Sequence, residues 1–273
     1  MAQEVDEAMA EAIQLLGVRM RPVIEATLPP EEAARTSTEQ CLSRWVRANN
    51  GDVDAASKGL MNYIHWYTQK PQYGQAEGVQ AVAQGTGAEL VPNEIASKKA
   101  FLVSDVKDPD GRPVVMIQVR KHDPTAEGYD LEELTLFCVY MIESGIDAMT
   151  APVESLCTIF DMSGIGLVNV DMKAVKRILY LFTNMYPERL ARCYILNAPR
   201  FFSASWTVIS VLLKETTRNK VKFVDRQGLL DSFPENSVLT SLLEEADACV
   251  TEASADPGAA EQVADLGSAA EKQ

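Results

Sequence analysis

The residues that could carry reaction chemistry are few and poorly grouped. The 273-residue chain has two histidines, His65 and His122, and no His-x-x-x-His spacing, so the donor set of a tetrahedral zinc site is missing. Its five cysteines, Cys41, Cys138, Cys157, Cys193 and Cys249, form no Cys-x-x-Cys pair and are odd in number. That is the pattern of reduced, buried thiols in a cytoplasmic protein. A dinucleotide fingerprint and a Walker loop are both absent, and Gly164-Ile165-Gly166 lacks the third glycine that would bring backbone up to a pyrophosphate. There is no Gly-x-Ser-x-Gly elbow, and His122 has no evident nucleophile. Asp105, Asp108, Asp110 and Asp123 fall in polar loops where water satisfies them. The expectation is a protein with no catalytic residue, no metal and no cofactor, one that binds rather than converts.

Composition narrows what it could bind. Hydrophobic residues make up 47% of the chain, charged residues 23%, and the formal net charge is −14. So negative a surface excludes nucleic acid, whose phosphates need clustered Lys and Arg. It also disfavours constant docking on anionic membranes, so transient membrane contact would use a local apolar or basic patch. No run of about 18 apolar residues exists to span a bilayer. The acidic opening, MAQEVDEAMAEAIQ, reads as helix rather than as a signal or transit peptide.

The elements that would position a binding site read in two blocks. Residues 2–27 have helical spacing, with Ala8, Ala12, Leu15, Leu16 and Val18 on one face. Pro29 and Pro30 end that helix. Thr36 or Ser37 would cap a second helix carrying Leu42, Trp45 and Val46, which stops near Asn49-Asn50-Gly51. Asp52 would cap a third, running to about Gln69. Residues 1–75 are thus a small helical module. Residues 76–92 (with the Gly/Gln/Ala-rich run from 71) read as a linker or irregular crossover.

In residues 93–250 strands alternate with helices. The strands are Phe101–Val106, Val114–Val119, Leu156–Asp161, Cys193–Leu196 and Val221–Val224. The helices are Leu131–Ser144, Met172–Asn184, an amphipathic Phe202–Leu213 and a closing Leu239–Ala248. Such alternation predicts an α/β fold with a mostly parallel sheet. Residues 251–273 have almost no large apolar side chain and read as a disordered acidic tail.

Five short motifs occur in a fixed order over about residues 40–225. They are Arg44-Trp45-Val46-Arg47-Ala48 with Asp52-Val53, Asp110-Gly111-Arg112-Pro113-Val114, Thr158-Ile159-Phe160-Asp161 with Gly164, Tyr186-Pro187-Glu188-Arg189-Leu190, and Ile195-Leu196-Asn197-Ala198-Pro199. Together they resemble the CRAL-TRIO lipid-binding family, which includes yeast-type phosphatidylinositol/phosphatidylcholine transfer proteins. The resemblance implies a CRAL-TRIO α/β domain whose mostly parallel sheet floors a lipid cavity under a helical gate, with the helical module in front. It implies a cytoplasmic protein that touches membranes peripherally and sequesters one lipid, either phosphatidylinositol or another apolar lipid. The alternative is an adaptor that holds lipid structurally while recruiting a protein partner.

Residue by residue, the resemblance puts Glu188, Lys220 and Thr217 at a lipid headgroup, with Thr158 beside them. It makes Phe201, Phe202, Trp206, Ile209 and Leu213 the gate and Leu156 and Tyr140 part of the pocket. Spacing agrees for the gate, since Phe202, Trp206, Ile209 and Leu213 fall on one helical stripe. If Glu188 and Lys220 form a buried ion pair, its retention fits either a functional role, because such pairs are costly, or a structural brace. Three departures stand out. The phosphate-contacting arginine of the family falls at Asn49, a headgroup serine falls at Leu156, and the Gly-Gly motif after the last strand is missing. An apolar Leu156 removes a donor a phosphocholine group would use, so phosphatidylcholine fits poorly, phosphatidylinositol stays open, and a small hydrophobic ligand such as a sterol, tocopherol or retinoid fits better than either.

Overall fold

A computed structural model describes residues 2–68, 76–85, 87–233 and 238–244. The closing helix read at Leu239–Ala248 is helical over its described residues 239–244. Cys249 and the stretch read as an acidic tail lie outside the described residues.

Four helices open the chain: α1 (Ala2–Thr27), α2 (Pro30–Thr36), α3 (Glu39–Ala48) and α4 (Val53–Thr68). The buried stripe of α1 is Ala12, Leu16, Met20 and Ile24, a four-residue stride. Leu15 and Val18, expected on that face, lie a third of a turn or more away and are 49% and 74% exposed. The double proline does end α1, but Pro30 then sits in the first turn of α2, where its missing N–H costs nothing. Thr38, one residue beyond the expected caps, starts α3 by accepting from the Cys41 amide at 3.2 Å. Asn50 and Gly51 turn the chain in left-handed backbone, φ 54° and 85°, and Asp52 caps α4 through the Ala55 amide at 3.0 Å.

Where an irregular crossover was expected, α5 (Ala76–Ala83) forms. Its Val79 and Val82, three apart, are both 1% exposed and join the core of the first four helices. A buried Val-x-x-Val edge outweighs the glycine and glutamine around it. Next comes α6 (Pro92–Ser97), leading to a five-stranded sheet: β1 (Ala100–Lys107), β2 (Pro113–Gln118), β3 (Leu156–Asp161), β4 (Leu190–Leu196) and β5 (Val221–Val224). The β1–β2 turn works as its sequence suggests. Asp108 accepts from the amides of Asp110 and Arg112 at 3.0 and 2.9 Å, and Gly111 takes φ 79°.

Strand order is β1-β2-β3-β4-β5, antiparallel for the first pair and parallel thereafter. The parallel crossovers are α7 (Leu131–Asp147), α8 (Met172–Tyr180, continued by a π-helical turn Leu181–Met185), and α9 (Phe202–Leu212) with α10 (Glu215–Arg218). Because each crossover moves one strand in the same direction, right-handed connections stack these helices on one face of the sheet. Alternation then divides the side chains. Val114, Met116, Cys157, Ile159, Tyr194 and Leu196 pack on the opposite face against Leu229 of α11 (Arg226–Asp231), Phe233, Leu239 and Leu243. Leu156, Thr158, Phe160, Cys193 and Ile195 are left facing α7, α8 and α9.

Candidate functional site

Between that second face and its helices lies a cavity of about 290 Å³. Its middle is apolar: Val115, Ile117, Leu156, Phe160 and Ile195 from the strands, Phe137 and Met141 from α7, Ile178 from α8, and Phe202, Trp206 and Ile209 from α9. Polar groups gather at its two ends, one at the N-terminal edge of the parallel strands and one at their C-terminal edge.

The first end is built on the corner preceding β4. Tyr186 donates to Glu143 Oε1 at 2.7 Å, and Arg35 donates to the same oxygen at 3.0 Å. Burial pushes the Glu143 carboxyl and the Tyr186 hydroxyl up. On the other side Arg189 donates to the Glu154 carbonyl at 2.7 Å. Burial, helped by Arg44, lowers the Arg189 guanidinium to about 10. Held at both flanks, the corner fixes Glu188 in left-handed backbone at φ 58°. Lys220 Nζ donates to Glu188 Oε2 at 3.4 Å, and Glu188, Lys220, Thr217 and Lys214 line the cavity together. This pair is not buried as expected: its side chains are 36% and 24% exposed, because Glu188 and Lys220 lie two residues and one residue before the starts of β4 and β5, at the cavity mouth. At so long a distance and in partial contact with water, the pair is weak and leaves both groups with spare hydrogen-bonding capacity.

Thr158 and Leu156 sit inside on β3, 4% and 1% exposed, and the Thr158 hydroxyl donates weakly to the Arg192 carbonyl at 3.4 Å. Asn49 does not replace the missing arginine. It caps α3, with its side-chain amide spent on the Trp45 carbonyl at 2.8 Å.

Over the cavity, Phe202 and Ile209 of α9 are buried, and Trp206 meets Phe223 edge-on with centroids 5.0 Å apart. Leu213, just past the helix, lines the cavity too. The helix is apolar on its outer side as well, with Val208, Val211 and Leu212 exposed at 57%, 77% and 48%. It is therefore not the amphipathic helix expected from its sequence. Leu167 and Val168, between β3 and α8, are also exposed. Two of the expected pocket residues fall elsewhere. Phe201 is 37% exposed and outside the lining, since it stands before the first turn of α9. Tyr140, three residues beyond Phe137 on α7, stacks on Phe137 at 6.4 Å and lines a separate groove beside β1.

The second polar end was missed in the sequence. Lys99, His122, Asn169 and Asp171 line it. Lys99 Nζ lies 2.6 Å from Glu94 Oε2 and 3.2 Å from His122 Nδ1. His122 Nε2 is 3.3 Å from Asp171 Oδ2, which also accepts from the Tyr129 hydroxyl at 2.6 Å. Asp171 Oδ1 caps α8 through the amides of Lys173 and Ala174 at 2.7 and 3.1 Å. Asn169 accepts from Gly166 and donates to the His122 carbonyl, both at 2.7 Å. Burial, then Lys99, lowers the His122 pKa and favours the neutral ring. A neutral ring accepting at Nδ1 must donate at Nε2, so nearly every donor and acceptor in this end is already used. Asp171 ahead of Met-Lys-Ala is a readable helix cap; its union with His122 across 49 positions is not.

Comparison with known proteins gives three findings. A family model described as CRAL/TRIO domain matches residues 97–242. A CRAL-TRIO domain-containing protein of Schizosaccharomyces pombe is 29% identical over 200 residues, covering 71% of this chain and 43% of that protein. The phosphatidylinositol transfer protein CSR1 of Eremothecium gossypii is 25% identical over 200 residues, covering 71% and 44%. Tyrosine-protein phosphatase non-receptor type 9 of Mus musculus is 27% identical over 154 residues, covering 56% and 26%. The chain thus spans less than half the length of these curated relatives. The crystal structure of Sfh5 superposes with a TM-score of 0.61 at 16% identity, covering 80% of each chain, a likeness of fold alone.

Proposed function

This chain belongs to the CRAL/TRIO domain family, and from that premise we propose that it holds one lipid in the cavity between its sheet and α7–α9 and passes it to and from membranes. The observation that carries the reading is α9, whose inner side chains line the cavity while its outer ones stand exposed. An apolar wall gains roughly 0.8 kcal/mol for each methylene it takes out of water. A roof that is apolar on both sides is unfavourable in water and well covered by a bilayer. No described helix is long and apolar enough to cross a membrane, so contact of this kind is peripheral.

At the mouth, the half-exposed Glu188 and Lys220 with Thr217 supply an acceptor, a cation and a hydroxyl. These suit the hydroxyls and phosphate of an inositol lipid, the class for which the CSR1 relative is named. Leu156, buried where a donor would be needed, argues against phosphocholine. A volume of about 290 Å³ is at the small end for ligand sites, so α9 would swing outward to admit a two-chain lipid.

The test is movement of fluorescent phosphatidylinositol and phosphatidylcholine between vesicles, with native mass spectrometry of the purified protein. Phosphatidylinositol moves and phosphatidylcholine does not. Trp206→Glu slows exchange without unfolding the chain, and Val211→Glu, on the outer side, slows exchange while leaving equilibrium loading intact. A protein that carries no lipid and moves none overturns the reading, and one that carries lipid without moving it is an adaptor.

A further inference from the structure

Glu188 stands at the cavity mouth, yet what holds it there reaches back to the helical module. Its left-handed backbone, φ 58°, is uncommon for a residue with a side chain and persists where the surroundings impose it. Pro187 separates it from Tyr186, and the fixed φ of a proline leaves that link little freedom to absorb a shift. Tyr186 is pinned in turn. Its amide donates to the Leu181 carbonyl at 2.8 Å, its ring meets Trp66 edge-on at 6.2 Å, and its hydroxyl donates to Glu143 Oε1 at 2.7 Å. Glu143, on α7, is 2% exposed and is met by Arg35 of α2, whose Nη2 lies 3.0 and 2.9 Å from its two carboxylate oxygens. Arg35 Nε lies 3.4 Å from Oε2 of the buried Glu32, which accepts at Oε1 from the Tyr63 hydroxyl of α4 at 2.7 Å. The other flank of the corner leads to the same module. Arg189 donates to the Glu154 carbonyl at 2.7 Å, and the Glu154 carboxylate pairs with Arg44 and Arg47 of α3 at 3.5 and 3.2 Å.

We infer that Arg35 is a positioning residue for headgroup recognition: acting through Glu143 and Tyr186, it sets where Glu188 stands and so tunes the affinity of the mouth for an inositol headgroup. This rests on the reading of the mouth as an inositol-lipid site. Arg35, Glu143 and Tyr186 are not among the residues that line the cavity, so none of them meets the lipid directly. Their effect passes through one loose contact. At 3.4 Å, the Glu188–Lys220 pair is already longer than an ordinary N–H···O bond, and a small displacement of Glu188 changes which acceptor and cation the mouth presents. α2 also lies outside residues 97–242, the span matched by the family model. The geometry of the headgroup site is thus set in part by a module outside the matched domain. A mere brace between the two blocks would affect loading whatever residue stood at position 188. A positioning residue acts only where Glu188 is present to be positioned.

The experiment measures equilibrium loading of fluorescent phosphatidylinositol by the full chain, by Tyr186→Phe and by Arg35→Met, and repeats both substitutions in a Glu188→Ala background. Arg35→Met leaves two buried carboxylates without their arginine and can fail to fold. Tyr186→Phe removes one hydroxyl, keeps the ring, and carries the test alone in that event. Loading weakens roughly threefold in Tyr186→Phe and roughly tenfold in Arg35→Met. Neither substitution has a further effect once residue 188 is alanine. Amide hydrogen exchange without lipid gives a second readout. The Arg189 amide, which donates to the Tyr186 carbonyl at 3.3 Å, exchanges faster in both variants, while the Cys193 amide, bonded to the Lys220 carbonyl at 2.9 Å, does not. Undiminished loading, an equal loss with and without Glu188, or exchange that quickens at neither amide or at both overturns the inference. A native chain that takes up no phosphatidylinositol fails at an earlier step: it overturns the inositol-lipid reading and, with it, the inference.

Discussion

The two polar ends of the cavity hold similar residues and differ in what remains unspent. At the C-terminal edge of the strands, Lys99, His122, Asp171, Tyr129 and Asn169 are closed upon one another, and Asp171 alone takes four donors. At the N-terminal edge, Glu188 and Lys220 meet at 3.4 Å, partly in water. A saturated, buried network is a brace, because any ligand atom entering it must displace a bond already made. A loose pair at a mouth suits the receptor role proposed for it, since a ligand adds bonds without breaking good ones. The family resemblance directed attention to the receptor, and the brace is what keeps α8 and the end of β2 in place around the cavity.

Three measurements would break or sharpen that contrast. The largest effect is expected from Asp171→Ala, which removes a helix cap and strands Tyr129 and His122: a loss of about 3 kcal/mol in urea unfolding. A loss under about 1 kcal/mol would show the network to be no brace.

Next is the pH response of His122. Burial and Lys99 hold its folded pKa below 6.5, against the favourable influence of Asp171 and Asp123. The unfolded chain therefore takes up the proton first, and stability falls as pH drops through about 6.5 and is flat above it. The difference between the native chain and His122→Gln should change by up to ~1.4 kcal/mol per pH unit in that window. Glu143, whose carboxyl is raised by burial, works in the opposite direction, so the difference is the quantity to follow. A difference independent of pH would mean that the imidazole is not held neutral.

The smallest stability effect belongs to Lys220→Ala, within about 1 kcal/mol because the pair is long and wet. Its consequence should appear in binding instead, as roughly tenfold weaker phosphatidylinositol uptake, about 1.4 kcal/mol, with uptake of an uncharged apolar ligand unchanged. Normal phosphatidylinositol uptake by that variant would remove the pair from the site.

Local signals in the sequence were legible and distant ones were not. β3 and β5 fall on the residues that their apolar runs indicate, and the Asp-Pro-Asp-Gly turn closes as its side-chain chemistry requires. Glu188, Lys220 and Thr217 were traceable through an ordered set of motifs, and the cavity does bring them together. The buried face of α1 was misjudged because its true stripe contains Met20 and Ile24, beyond the stretch that set the reading. α5 was hidden by small and polar residues whose neighbours in space, not in sequence, make it a helix. Lys99, His122 and Asp171 lie far apart along the chain, and residue order alone cannot show that they meet.

One-sided stacking of the crossovers has a last consequence. The cavity and its roof occupy one face of the sheet, while Leu229, Phe233, Leu239 and Leu243 seal the other with a core of their own. Departure of α9 would uncover only the first face. On the proposed reading, loading and emptying would thus be mechanically separate from folding, and the vacated protein would keep its shape long enough to be filled again.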